Sequence, residues 1–385
     1  MDTTIKRTLW LRSEPKPFEE RVALIPSQAK ELLEQGHTII VEEDDKRIFP
    51  ISDYKNAGCI IKPQNSWIEH APQEATILGL KELQELKNKN GSTFPFTRRH
   101  IHFAHLFKGQ TGCEKTLKRF KEGNGLLFDL EYLTDEKGKR VAAFGPWAGF
   151  IGAALGLDLW LCQKNNINMN QRGRLKSYPN KHLYLQEMKE KLKDQKPKIL
   201  VIGPRGRCGQ GASRFFDEMN LSFTSWGREE TEGKNSIKEI LDYEIVINCI
   251  LVNKPVGKWL TPEMIDGSQN LRVLSDVSCD PTGPYNPMPV YHHSTSMDLP
   301  AYYYPSDKNF AITAIDHLPS LLPKESSIDF STQLFPYLQN YMKGEISNGP
   351  WERALTHFYK NIYHHVLEDE DFKSHHFGQQ VESIS

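Results

Sequence analysis

The sequence predicts an α/β protein of two doubly wound, Rossmann-like domains, separated by an active-site cleft and linked by long helices. Three observations predict this. Short β-branched runs alternate with helix-length segments, the pattern of parallel sheets with crossover helices. A glycine cluster, Gly203-Pro-Arg-Gly206-Arg-Cys-Gly209-Gln-Gly211, follows one such run in mid-chain, where a strand feeds a helix. The length of 385 residues suits two domains, each with its own core.

Taken in order, strands are expected at Arg7–Leu11, Thr38–Val41, Thr76–Leu80 and Ile101–Ala104. A helix from Ser27 to Gln35 fits between the first two, with Gly36 where a left-handed C-terminal cap would stand. The stretch Ala142–Cys162 is long and apolar enough to span a bilayer. It also holds Asp158, a proline and four glycines and lies between soluble patterns, so a buried helix linking the two domains is expected instead. Gln163–Gln195 reads as a polar, helical connection. Further strands are expected at Lys198–Ile202, Tyr243–Ile250 and Arg272–Ser278, and residues from Ser326 onward read as helices folding back on the N-terminal unit. The expected domains are a substrate domain, residues 1–140 plus 326–385, and a dinucleotide-binding domain, residues 141–325.

Composition narrows the function. With 38% apolar and 25% charged residues and a net charge of -1, the chain reads as soluble and presents no basic field for nucleic acid or anionic lipid. The N-terminus carries no secretory core, so a cytoplasmic location is expected. The six cysteines lack C-x-x-C spacing, which argues against a zinc site or a secreted disulfide framework; reduced thiols and no metal are expected.

The glycine cluster reads as a dinucleotide-binding turn. Glycines let backbone amides approach a pyrophosphate, and the following helix adds unpaired N–H groups and the positive end of its dipole. Its spacing departs from G-x-G-x-x-G, so a glycine-rich turn without nucleotide stays open. Lys81 directly follows one expected strand and His105 another, at the carboxyl edge where open α/β sheets bind ligands. A lysine there can be desolvated into a base, the alternative being a solvated strand-end residue. His102, inside its strand, reads as structural. Arg21 and Arg140 flank apolar segments and suit carboxylates, or surface ion pairs.

The segments Phe18-Glu-Glu-Arg-Val-Ala-Leu-Ile-Pro, Leu78-Gly-Leu-Lys-Glu, His102-Phe-Ala-His, Phe128-Asp-Leu-Glu, Arg140-Val-Ala-Ala-Phe-Gly, Gly206-Arg-Cys-Gly, Ile247-Asn-Cys-Ile, Asp276-Val-Ser and Ile315-Asp-His-Leu-Pro-Ser-Leu-Leu-Pro carry a family resemblance. In this order and spacing, from about residue 7 to residue 360, the chain resembles the lysine-forming saccharopine dehydrogenases, which are similar in fold to alanine dehydrogenase. The resemblance implies reversible NAD-dependent oxidation of saccharopine, through an imine, to L-lysine and 2-oxoglutarate. It implies Lys81 as the base and His105 as the acid–base group in hydrolysis, with Glu82 and Glu131 tuning them if they lie alongside. It further implies that Arg21, Gln110, Arg140, Phe144, Ser278, Cys279 and Asp280 hold the substrate, Glu19 orienting Arg21 or remaining solvated. Gly206, Arg207, Thr231, Val277, Ile315, Asp316, His317 and Leu318 would contact the cofactor.

The match fails at three places. Gly227 stands where the family has an acid for the adenosine ribose, with Arg228 next to it, which favours a 2′-phosphate. NAD is expected, with Glu229 or Glu230 replacing the acid and NADP left open. Leu251 replaces a tyrosine near the cofactor, and Lys139 replaces an arginine. Cys208, after the first strand of the cofactor domain, and Cys249, near the end of the fourth, read as a redox pair or as two reduced thiols. A related amino-acid or opine dehydrogenase using another oxo acid, or a catalytically silent nucleotide-binding protein, are the competing readings. Assembly stays open, a monomer among the readings.

Overall fold

The computed structural model describes residues 5–83, 86–107, 112–252, 254–266, 268–305 and 309–366, and statements about structure concern these. They fall into two compact units, one from Met1–Ala143 with Ser327–Ser385 and one from Phe144–Ser326.

The first unit is built on a six-stranded parallel sheet in the order β3-β2-β1-β4-β5-β6. Its strands are β1 (Thr8–Leu11), β2 (Thr38–Glu42), β3 (Ile60–Lys62), β4 (Thr76–Leu78), β5 (Arg99–His102) and β6 (Leu126–Asp129). Helices α1 (Pro26–Glu34), α2 (Ile51–Asn56), α3 (Trp67–His70) and α4 (Cys113–Gly123) connect them. The central strands are nearly continuous apolar runs, as strands buried on both faces must be.

The sheet adds β3 and β6 to the four expected strands, of which β1 and β2 differ from expectation by one residue and β4 and β5 by two. Strand β4 stops at Leu78 rather than Leu80, and β5 runs two residues earlier than Ile101–Ala104. Past β4 the buried Glu14 carboxylate takes the N–H groups of Leu80 (2.7 Å) and Lys81 (2.9 Å) in place of a strand partner, while the Leu80 carbonyl still accepts from the Phe103 N–H (3.1 Å). Polar Arg99 and His100 enter the strand instead. His100 is fully buried among Trp67, Phe96 and Phe120, donates to or accepts from the Thr97 carbonyl at 2.7 Å, and is pushed by burial down to about 3. His102 is likewise buried and driven well below the usual imidazole range, so both rings are neutral.

Glu42, at the end of β2, gathers the loops above this sheet. Its buried carboxylate accepts from Trp10 Nε1 (3.0 Å) and from the backbone N–H of Ser13 (2.9 Å), Asn65 (3.0 Å) and Trp67 (2.7 Å). The chain after β1 is thereby fixed, and Glu14 with it.

The second unit has a six-stranded sheet in the order β11-β12-β10-β9-β7-β8. Its strands are β7 (Ile199–Ile202), β8 (Thr224–Trp226), β9 (Ile245–Asn248), β10 (Val273–Asp276), β11 (Tyr302–Tyr303) and β12 (Ala311–Thr313). Pairing is parallel except between β11 and β12. Helices α5 (Gly145–Lys164), α6 (Lys181–Leu192), α7 (Arg207–Glu218), α8 (Arg228–Thr231) and α9 (Pro262–Asp266) accompany the sheet; α10 (Pro323–Met342) and α11 (Pro350–Val366) follow.

The apolar segment forms α5, with 83% of its most apolar window buried. It packs within the second unit, against α7 and the sheet. Glycines permit this. A Cβ on Gly149 would collide with the Cys208 backbone and one on Gly211 with the Pro146 carbonyl. Asp158 is held by Arg172 (2.8 Å) and Lys191 (3.4 Å), so its charge is paired rather than exposed to lipid. The stretch expected to be a polar, helical connection contains the end of α5, a short 3-10 turn at Met169–Arg172, and α6. Strand β9 is the third strand of its unit, not the fourth, and it does neighbour the first, β7.

Glu42→Ala leaves the buried donors of Trp10, Ser13 and Trp67 without their acceptor and is expected to cost about 3–5 kcal/mol. Chemical denaturation should show early loss of the first unit, with Glu42→Gln intermediate. Wild-type resistance in the alanine variant would contradict the anchoring role.

Candidate active site and dinucleotide cradle

In the first unit the site is built on the chain leaving β4. Glu14 fixes Lys81 by its backbone N–H. Arg12 completes the bracket by donating to Glu14 (3.3 Å), to the Ser13 carbonyl (2.9 Å) and to the Lys81 carbonyl. The Lys81 ammonium lies 3.9 Å from Glu19 and is only 17% exposed. Glu19 in turn accepts two parallel bonds from Arg21, Nε to Oε1 at 2.7 Å and Nη2 to Oε2 at 2.6 Å, with the Arg21 backbone N–H adding a third at 3.1 Å. Both partners are buried.

Burial disfavours the Lys81 ammonium and the Arg21 guanidinium repels it; together they outweigh attraction by Glu19 and Glu82, so the Lys81 pKa lies below the usual lysine value. Glu19 shows the converse. Burial opposes its charge, but Arg21, and to a smaller degree Lys81, hold its carboxyl below the usual range. Glu82 is also pulled down against its burial, by an ion pair with Lys16 and by the charge of His105. Glu82 is thus within electrostatic reach of both expected proton carriers. His105 has φ 51°, three residues beyond β5.

The other expected groups of this unit are placed less compactly. Glu131 acts electrostatically on Tyr132 and His357, two rings stacked at 3.6 Å. Arg140 is exposed and bridges in antiparallel fashion to Thr134. Lys139 donates its N–H to Asp135 (2.8 Å) in the same turn. Gln110 lies outside the described residues.

In the second unit the glycine cluster forms the turn from β7 into α7. Gly203 has φ +81°, a conformation that L side chains avoid. A Cβ on Gly209 would collide with the Gly203 carbonyl, so this glycine lets α7 start directly over the strand end. A Cβ on Gly206 would meet only the Gly203 oxygen, at 3.6 Å, which leaves the approach to the turn open. These are the three tasks of a dinucleotide fingerprint, with one additional residue between the first two glycines. A cavity of about 950 Å³ opens beside the turn, bounded by Gly203, Gly206, Trp226, Gly227, Arg228, Thr231 and Leu251. Such a volume is in the range of cofactor sites.

Thr231 donates to the Gly227 carbonyl at 2.8 Å, and Leu251 is 70% exposed on the cavity. Arg207 packs at Gly145 on α5, whereas Arg205, Lys234 and Lys254 line the cavity and were missed. Their signal was cationic residues on the loops following β7, α8 and β9.

Phe144 caps the start of α5. Val277 packs against Gly152 of α5. Ser278 donates to Asp276 (2.5 Å), which also accepts from Tyr291 (2.6 Å) and Asn248 (3.0 Å). Cys279, at φ 51°, donates to the Ala314 carbonyl at 3.3 Å; Asp316 and Asp280 lie close enough to raise its pKa, which burial chiefly pushes up to about 11. Ile315 and Leu318 are buried in the core, so their backbone is what remains to face a ligand, while Ser320 donates to the His317 carbonyl at 2.7 Å. Cys208 and Cys249 lie near one another and are not joined in a disulfide. Burial, then the neighbouring Cys208, holds Cys249 well above the usual thiol range, which disfavours the thiolate needed for exchange.

The family described as "Alanine dehydrogenase/PNT, N-terminal domain" matches residues 10–151. Among solved structures the chain is similar to an L-alanine dehydrogenase, with TM-score 0.65 and 14% identity over 92% of this chain and 99% of that one. It is also similar to a transhydrogenase from Sinorhizobium meliloti, with TM-score 0.56 and 13% identity over 89% and 98%. These likenesses define the class: an α/β protein with the fold of the alanine dehydrogenases. Sequence likeness is closer to saccharopine dehydrogenase (NAD(+), L-lysine-forming) of Candida glabrata, 39% identical over 94% of this chain and 98% of that one. For its counterpart in Candida albicans the figures are 40%, 92% and 97%. The chain belongs to the saccharopine dehydrogenase (NAD(+), L-lysine-forming) family and is an oxidoreductase.

Gly209→Val places a branched side chain against the Gly203 carbonyl. It is expected to weaken NADH binding at least about tenfold in a fluorescence titration and to lower stability; unchanged affinity would contradict the role given to this turn.

Proposed function

We propose that this enzyme catalyses the reversible, NAD-dependent oxidative cleavage of saccharopine to L-lysine and 2-oxoglutarate. The observation that carries the proposal is Lys81. It is pinned by Glu14 at the end of a central strand and pressed toward its neutral form by burial and Arg21. Family membership supports the substrate, and the glycine turn with its cavity supports the dinucleotide.

Nicotinamide, when bound, supplies the hydride acceptor. Neutral Lys81 takes the proton from the secondary amine of saccharopine as hydride leaves the adjacent glutarate carbon, giving the C=N bond of an imine. Water then adds to that carbon. His105 takes a proton from the water as it adds and passes it to the nitrogen, giving a carbinolamine; it then takes the remaining hydroxyl proton and delivers it to the nitrogen as the C–N bond breaks, which frees the lysine amine and leaves the carbonyl of 2-oxoglutarate. Glu19 keeps Arg21 oriented and limits how far the Lys81 pKa falls. Arg21 and Arg140 suit the substrate carboxylates, and Asp280 suits its ammonium.

Oxidation of NADH should require L-lysine and 2-oxoglutarate together and stop when either is omitted. Turnover with another amine in place of lysine, or none at all, would overturn the substrate assignment. Lys81→Met should lower kcat by about 10²–10⁴ while NADH still binds as in the wild type; a loss below about tenfold would remove Lys81 from the role of base.

A further inference from the structure

The loop that carries Glu19 into the site turns sharply just before it. The Glu19 N–H donates to the Lys16 carbonyl at 3.4 Å, which makes Lys16-Pro17-Phe18-Glu19 a four-residue turn with Pro17 second and Phe18 third. Phe18 has φ 62°. A proline followed by a positive φ is the pattern of a type II turn, whose third position takes glycine or asparagine because a larger side chain there crowds the backbone. An aromatic residue is an outlier in this place.

Burial does not account for it. Phe18 is 61% exposed, whereas Glu19 beside it is buried. Strain of this kind, at a side chain that the core does not hold, points to a use for that side chain outside the fold. The two ends of the turn show where. Lys16 pairs with Glu82, and Glu19 lies 3.9 Å from the Lys81 ammonium, so the turn is moored at both ends to consecutive residues just past β4. The ring therefore belongs to the residue next to the carboxylate that faces the base. Lys16, Glu19, Arg21 and Glu82 surround Lys81 with charge, and Phe18 adds an apolar surface to this ring of charges.

We infer that the Phe18 ring is the apolar wall of the substrate site, against which the four methylenes of the lysine half of saccharopine lie while the secondary amine meets Lys81. The inference rests on the proposed reaction and adds the residue that reads the carbon chain of the amine. Methylenes gain by leaving water for such a surface. Charged side chains cannot provide it without losing their own hydration.

The test is steady-state oxidation of NADH with 2-oxoglutarate and either L-lysine or L-ornithine, one methylene shorter, by the full-length wild type, Phe18→Gly and Phe18→Leu, with denaturant unfolding of each. Glycine suits the turn better than phenylalanine, so Phe18→Gly should unfold at the wild-type denaturant concentration or above it. It should raise the KM for L-lysine about tenfold and narrow the preference for L-lysine over L-ornithine. The KM for 2-oxoglutarate and kcat should stay within about twofold, as expected when binding of one substrate alone is weakened. Phe18→Leu keeps an apolar side chain and should recover most of the lost KM. An unchanged KM for L-lysine in Phe18→Gly, or a KM for 2-oxoglutarate that rises as much, overturns the inference. Earlier unfolding of Phe18→Gly overturns it as well, by giving the ring a place in the fold. No turnover of L-lysine with 2-oxoglutarate by the wild type overturns the proposed reaction and the inference with it.

Discussion

The hold of one buried carboxylate on two backbone N–H groups underlies the chemistry of the first unit. Glu14 takes the N–H groups of Leu80 and Lys81 and so fixes the backbone from which the Lys81 side chain leaves. Arg12 neutralises Glu14 and caps the Lys81 carbonyl, and Glu42 secures the loop that carries Glu14. A lysine on a flexible four-carbon stem would otherwise swing into water, regain its solvation and its ordinary basicity. Three buried charged side chains, Arg12, Glu14 and Glu42, thus fix the place from which Lys81 extends.

The balance around Lys81 follows from the same constraint. A buried ammonium beside a lone carboxylate would stay protonated and be of no use as a base. A guanidinium that binds the carboxylate on two atoms reverses this, because Glu19 is already satisfied by Arg21 and the nearby positive charge acts against a second cation. Glu19 then moderates the shift rather than setting its direction. Arg21 therefore has a clear task inside the protein, in addition to the substrate contact proposed for it.

Much of this architecture was legible in the sequence, because central strands of parallel sheets are apolar runs and helix ends carry their own signals. The ends of β4 and β5 were not legible. They involve Glu14, 66 residues before the N–H of Leu80 that it binds, and aromatic rings that make room for His100 within the strand. The fold of α5 was readable as buried, but its place inside the second unit depends on backbone-to-backbone packing at Gly149 and Gly211 that no periodicity announces. Lys81 and His105 were readable as strand-end groups. Their supporting residues were harder to read, since Arg12 and Glu14 look like an ordinary charged loop until the sheet brings β1 beside β4. In the cofactor unit the glycines were legible, whereas the cations at Arg205, Lys234 and Lys254 are scattered along loops that only the folded sheet gathers.

The central claim is that Lys81 works as a neutral base whose pKa is lowered by burial and Arg21 and partly restored by Glu19. It is tested most directly by the pH dependence of kcat/KM for saccharopine oxidation in the wild type and in Glu19→Gln. The rate must rise with pH as the Lys81 ammonium loses its proton. Removing the Glu19 charge takes away an interaction that favours the ammonium, so the acid limb should move to lower pH while the amide oxygen still holds Arg21. An acid limb that stays in place, or that moves to higher pH, would contradict the account.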